Sequence, residues 1–272
     1  MYKLIALDID GTLLNSEKKI TSDVYNSIQE AKNKGAKVVL STGRPLPGVV
    51  PLLKELNLTD EGDYVICFNG AVVQEVKSEK VISNIEMCHD DFKTIHNLAK
   101  KLNTHVHINT PTSLIIPECT PGKYTIHESK LNGIDIISMD ENEINDDITF
   151  CKIMIVDEPE KLEEVIENIP SELYEKYTIV RSAPFFLEFL NKSANKGTAL
   201  KALCDAIDIP ISKSIAVGDE ENDQHMIKLA GLGVAMGNAR QSIKEIADYI
   251  TTTNNEHGVA RVIDKFILNK IV

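Results

Sequence analysis

Two carboxylates, Asp8 and Asp10, stand one residue apart and run into Gly11 and Thr12. Like charges that close repel, so the pair calls for a cation, a shared proton or a reaction between them. One can attack an electrophile or hold a metal while the other moves a proton. A second acidic group follows late in the chain, Gly218-Asp219-Glu220-Glu221-Asn222-Asp223. Oxygen donors without cysteine or a histidine pair suit a hard cation, Mg2+ above all. The stretch Ser41-Thr42-Gly43-Arg44-Pro45 offers a hydroxyl, a close backbone approach at Gly43 and a helix beyond, as a phosphate-accepting loop does. Lys196 and Gly197 open a helix; a lysine there opposes the helix dipole and is expected to face an anion. Each feature alone has a plainer reading: a solvated acidic pair, a dipole-matched helix start, an ordinary turn, an exposed lysine. Together they are the inventory for Mg2+-assisted phosphoryl transfer.

The elements that must carry these groups are legible on either side of them. The apolar run Leu4-Ile5-Ala6-Leu7 reads as a buried strand that would deliver Asp8 and Asp10 to one side of its tip. Thr21 or Ser22 caps a helix to Lys34, with Val24, Ile28 and Ala31 on one face and Gly35 at its end. Lys37 to Leu40 is a strand, Pro47 to Leu56 a helical stretch and Tyr64 to Phe68 another strand. The pattern resumes with helix Lys196 to Ile207, strand Ser214 to Val217, helix Asn222 to Ala230, strand Gly233 to Met236, helix Ala239 to Ile246, strand Tyr249 to Thr251 and helix Gly258 to Leu268. Alternation of this kind predicts an α/β protein with a doubly wound parallel sheet, Rossmann-like, whose strand tips bind ligands. Between the two halves the texture changes to short strands and helices, which predicts an inserted α+β domain. The expected division is 1–83 and 183–272 for the core and 84–182 for the insert.

Composition narrows the classes. A chain of 272 residues with 43% hydrophobic content is an ordinary globular protein. Its formal net charge of −12 argues against a nucleic-acid surface. Cys67, Cys88, Cys119, Cys151 and Cys204 include no C-x-x-C pair, so reduced thiols in a reducing compartment are expected rather than disulfides or zinc. No signal peptide and no membrane-length apolar run is read, and the expectation is a cytoplasmic protein with no membrane partner.

The ordered set resembles the haloacid dehalogenase superfamily of phosphohydrolases, and within it the Cof-type sugar-phosphate phosphatases, over essentially the whole chain. Asp8-x-Asp10-x-Thr12 is similar to the first motif, Thr42-Gly43-Arg44 to the second, Lys196 to the third and Gly218-Asp219-x-x-Asn222-Asp223 to the fourth. The resemblance implies that Asp8 attacks phosphorus and that Asp10 protonates the leaving alcohol and then activates water. It implies Mg2+ held by Asp8, Asp219 and the Asp10 main-chain carbonyl, with Asp223 holding a metal-bound water or positioning Lys196. Ile9 (through its N–H), Thr42, Gly43, Lys196 and Asn222 would bind the phosphoryl oxygens. Apart from the resemblance, Arg44 is a candidate to point toward the insert and meet an anionic substrate group, with no role as the open alternative. The span from Asp8 to Thr42 has room for one helix only, whereas that from Thr42 to Lys196 holds a domain, which resembles the type II cap (type IIB) and would exclude water and select the leaving group.

Glu220 departs from the resemblance, standing where a small or neutral residue is more usual, and is read as facing solvent. His225 is read as solvated. His105, His107, Phe185, Phe186 and Phe189 are read as structural, and the loop from Asn254 to Gly258 receives no role. The implied substrate is a small phosphorylated metabolite and the expected state a monomer. Two other functions stay open at this point: a phosphomutase of the phosphomannomutase type, and a non-catalytic phosphate-binding regulator on the same fold.

Overall fold

The computed structural model describes residues 1–270. Fourteen strands form among them: β1 (Leu4–Leu7), β2 (Lys37–Ser41), β3 (Tyr64–Cys67), β4 (Val72–Glu75), β5 (Val81–Asn84), β6 (His105–Asn109), β7 (Ser113–Ile116), β8 (Asp135–Ser138), β9 (Lys152–Val156), β10 (Tyr177–Ala183), β11 (Phe186–Asn191), β12 (Ser214–Gly218), β13 (Leu232–Ala235) and β14 (Tyr249–Ile250). They build two sheets, ordered β14-β13-β12-β1-β2-β3-β4-β5 and β10-β11-β9-β6-β7-β8. The described residues divide into two compact units: Met1–Gly43, Pro51–Ser83 and the residues from Asn195 on form the first, Arg44–Val50 and Asn84–Ala194 the second. The second unit therefore runs past the expected limit at 182 and takes in the short segment after Gly43.

The first unit is the doubly wound sheet the alternating pattern predicts. Strand β1 lies at its centre, parallel to β12 on one side and β2 on the other. Both faces of β1 are buried, as a strand flanked by crossover helices requires. On one face Leu4, Ala6, Val39 and Ala216 pack under the helix Lys196–Ala206 through Leu200 and Leu203. The helix Ser22–Asn33 starts where Thr21 caps it, its hydroxyl accepting from the Val24 N–H, and it lies against Gly258–Phe266. The sheet is not wholly parallel: β3 turns back into β4 in antiparallel register, Cys67 opposite Val72. The Asn69-Gly70 pair allows that reversal, because both residues take positive φ.

In the second unit the sheet has two unlike faces. Ile108, Ile153, Ile155, Leu187 and Phe189 share the apolar face, packed with Phe92, Ile95, Leu162 and Val165. Strand β11, read from sequence only as core aromatics, pairs with both β9 and β10. The other face of β9, β6 and β11 carries Lys152, His107, Asn109 and Glu188, all buried. Lys152 Nζ lies 3.1 Å from Glu188 Oε1 and 3.8 Å from Glu128 Oε1, the latter on helix Lys123–Asn132. His107 Nδ1 is 3.1 Å from the Thr125 hydroxyl. No helix among the described residues is long and apolar enough to cross a membrane.

His107 gives a pH-dependent stability. Burial, with the Lys152 ammonium added, holds its imidazole down at about 3, against an ordinary 6.5. The unfolded chain therefore takes up a proton that the folded one refuses, and stability falls as pH drops from about 6.5 towards 3. The slope is about 1.4 kcal/mol per pH unit. Urea unfolding at pH 7 and pH 5 is expected to separate the parent from His107→Asn by roughly 2 kcal/mol in their pH dependence. Parallel pH profiles for the two proteins would refute the buried neutral imidazole.

Candidate active site

Parallel register levels the strand tips. Leu7 is paired with Val217 on one side and Leu40 on the other. The residues just beyond, Asp8, Asp219 and Thr42, therefore leave three adjacent strands at the same edge of the sheet. Because β1 ends at Leu7, strand alternation does not extend to Asp8 and Asp10, and the two carboxylates have different surroundings. Asp8 is buried, whereas Asp10 is exposed and accepts from Lys18 Nζ at 2.9 Å.

Lys196 is the hub. Its side chain is fully buried, and Nζ donates to Asp8 Oδ1 at 2.5 Å and to Asp223 Oδ1 at 2.7 Å. The Asn195 side chain caps its helix by accepting from the Gly197 and Thr198 N–H groups, so the helix start that places Lys196 is fixed locally. The other oxygen of Asp223 accepts from the Asp219 and Glu220 N–H groups, at 2.9 and 3.1 Å. Asp219 Oδ1 accepts from the Thr12 hydroxyl at 2.7 Å. Gly11, at φ +86°, brings its backbone against Asp219 so closely that a Cβ would collide with the carboxylate. Thr42 is buried, its N–H donating to Ile66 O and its carbonyl accepting from the Asn69 N–H, both at 2.9 Å. Ile9 is buried; Gly43 and Arg44 are half-buried, and Arg44 falls in the second unit.

Three buried carboxylates face one ammonium. Burial pushes the Asp8 carboxyl up to about 8, with Lys196 opposing and Asp223 adding to the rise. Burial likewise lifts Asp219 to about 6, against the Thr12 hydrogen bond. Lys196 is held above its ordinary value because Asp223 and Asp8 outweigh its own burial. The excess negative charge is what a divalent cation neutralises. Asp8, Asp219 and Asp223 each offer an oxygen, all within 4.8 Å of one another, with no thiolate or imidazole in the group. That donor set fits a hard cation.

Asn69 and Asn238 carry no functional reading in the sequence, and the loop that holds Asn254 is read there without a role. Asn222, expected at phosphate, is exposed and donates through Nδ2 to Asn69 Oδ1 at 3.1 Å. Asn238 donates to the Gly11 carbonyl and Asn254 to that of Leu14, both at 2.8 Å, so the loop left without a role braces the one after Asp8. No local pattern signals those contacts; only Asn69-Gly70 carries one, as a turn dipeptide. Glu220 pairs with Arg240 at 2.5 Å on the surface.

Carboxylates, a buried ammonium and a hydroxyl at level tips of a doubly wound sheet define a hydrolase of the phosphoryl-transfer type. Residues 5–263 match the haloacid dehalogenase-like hydrolases, and the chain belongs to that family. Among its relatives, YxeH of Bacillus subtilis (strain 168), named provisionally as a phosphatase, is 43% identical over 99% of this chain and 100% of its own length. YcsE of the same organism, named a 5-amino-6-(5-phospho-D-ribitylamino)uracil phosphatase, is 35% identical over 98% of this chain and 96% of its own. A haloacid dehalogenase-like hydrolase of Bacteroides thetaiotaomicron superposes with a TM-score of 0.84 at 32% identity, over 97% of this chain and 99% of that one.

Proposed function

We propose that the chain is a Mg2+-dependent phosphatase that hydrolyses small phosphomonoesters, sugar phosphates foremost, through an aspartyl-phosphate. The observation that carries the reading is Lys196 Nζ bridging Asp8 and Asp223 at the strand tips, beside Asp219. Asp8 is the nucleophile: its carboxylate oxygen bonds to phosphorus as the P–O bond to the alcohol breaks, and Asp10 gives the departing alcohol oxygen its proton. Asp10, now a carboxylate, takes a proton from water, whose oxygen attacks phosphorus and frees Asp8. Ile9 through its N–H, Thr42, Gly43, Lys196 and Asn222 hold the phosphoryl oxygens, and Arg44 meets an anionic group of the substrate. Asp8, Asp219 and the Asp10 carbonyl hold Mg2+, with Asp223 behind them. When bound, the ion neutralises charge so that a phosphate dianion can approach a carboxylate.

The second unit, Arg44–Val50 with Asn84–Ala194, takes the part of the cap that selects the alcohol. The name of YcsE, a 5-amino-6-(5-phospho-D-ribitylamino)uracil phosphatase, supports a small phosphomonoester as substrate. A monomer working in the cytoplasm, with no nucleic-acid or membrane partner, completes the reading. Purified protein is expected to release p-nitrophenol from p-nitrophenyl phosphate with Mg2+, to fall by more than about a hundredfold in EDTA, and to recover on Mg2+ addition. Turnover indifferent to EDTA would overturn the metal assignment, and no turnover on a panel of sugar phosphates would overturn the substrate class.

A further inference from the structure

Between β3 and β4 three successive residues, Phe68, Asn69 and Gly70, take positive φ, at 51°, 53° and 100°. Glycine does so freely and asparagine with modest cost, but an aromatic residue there is an outlier. Such a conformation persists only where its surroundings over-determine it, and it clusters at functional sites. The surroundings here are three of the loops that carry the candidate site. The Asn69 N–H donates to the Thr42 carbonyl at 2.9 Å. Its carboxamide stands over Gly43, where a Cβ would lie 3.1 Å from Asn69 Nδ2. Its Oδ1 accepts from Asn222 Nδ2 at 3.1 Å. Gly70 presses on the turn that presents Lys196: a Cβ at residue 70 would collide with the Asn195 carbonyl oxygen and lie 2.9 Å from Lys196 N.

The reversal between β3 and β4 accounts for the positive φ at Asn69 and Gly70. It does not explain why residue 69 carries a side chain, since glycine there would serve the turn at least as well. We propose that Asn69 is a positioning residue for phosphate binding. Its carboxamide holds Asn222 and packs over Gly43, while its main-chain N–H holds Thr42, so that donors from two distant parts of the chain meet one phosphoryl group in a fixed arrangement. The turn beneath it sets the approach of the Lys196 loop through Gly70. This inference rests on the phosphatase reading above.

Asn69→Gly is the informative variant, because it keeps the backbone conformation and removes only the carboxamide. It is expected to melt within a few degrees of the parent. Its KM for p-nitrophenyl phosphate and its Ki for inorganic phosphate should both rise by about tenfold, the scale of one lost hydrogen bond. Asn222→Ala should show a similar loss, and the double variant no more than either single one, because the two side chains act as a unit. That non-additivity in Ki is not produced by a general loss of stability. Unaltered Ki in Asn69→Gly, or losses that multiply to about a hundredfold in the double variant, would overturn the assignment while parent activity stood. A parent protein that neither turns over p-nitrophenyl phosphate nor binds inorganic phosphate would overturn the phosphatase reading, and this inference with it.

Discussion

Asp8→Asn is expected to lose turnover of p-nitrophenyl phosphate by at least ~10⁴-fold while folding as well as the parent. The amide has the same shape as the carboxylate, and its oxygen can still accept from Lys196. What it lacks is the negative oxygen that forms a bond to phosphorus. The size of the loss discriminates between roles: a missing hydrogen-bond donor to phosphate costs about a hundredfold to a thousandfold, so a loss confined to that range would overturn Asp8 as nucleophile. Stability should move the other way. The parent buries Asp8, Asp219 and Asp223 against the single ammonium of Lys196. Burial already drives the Asp8 carboxyl towards its neutral form, up to about 8. An amide at residue 8 removes one of three buried charges and leaves Asp223 to partner Lys196. In buffer with EDTA the Asp8→Asn protein is therefore expected to melt at or above the parent temperature, as active-site charges commonly cost stability. A variant that is both inactive and several degrees less stable would mean that Asp8 is needed by the fold.

How far the site could be read from sequence follows from where its information lies. Asp8 comes directly after an apolar run, and Thr42 and Asp219 come one residue after theirs, past Ser41 and Gly218; a run that stops at such polar or glycine residues is a local signal for a strand tip. Register then levels the tips without further instruction, since β1 pairs in parallel with both β2 and β12. What stayed hidden is non-local. The resemblance gives Asp223 a metal-bound water or the positioning of Lys196, and it does accept from Lys196, but its acceptance from the Asp219 and Glu220 N–H groups has no local signal. Asn69 looks like half of a turn, and its bond to Asn222 crosses 153 positions. Asp10 is expected beside Asp8 by an alternation that stops at Leu7, before either residue. The insert was legible as α+β, but its end was not, because the Phe186–Asn191 strand is as apolar as a core segment and only its pairing with β9 and β10 assigns it to the second sheet.

Lys152→Met is expected to cost about 3–5 kcal/mol of unfolding free energy, the price of removing one partner from a buried ion cluster. Methionine fills a similar volume, so packing is nearly conserved and the loss is electrostatic. Glu128 and Glu188 would remain buried without their cation, with Glu188 still accepting from the Ser182 hydroxyl at 2.6 Å. Lys152→Met combined with Glu188→Gln should recover a large part of the loss, because it removes an orphaned charge rather than adding an attraction. Urea unfolding of the three proteins measures both steps. A single variant within 1 kcal/mol of the parent, or a double variant less stable than the single one, would refute the cluster as a coupled unit. The reason to keep so costly a group lies in the strand that bears it. Apart from Lys152, β9 is apolar on both faces, Ile153 and Ile155 on one, Met154 and Val156 on the other. Hydrophobic alternation therefore says little about which face is which, and a slip of one residue would exchange them. Such a slip would drive the Lys152 ammonium into the apolar cluster around Phe92 and Phe189 with no carboxylate to meet it. The ion cluster thus selects one register of the second sheet, and with it the face on which His107, Asn109 and Glu188 stand.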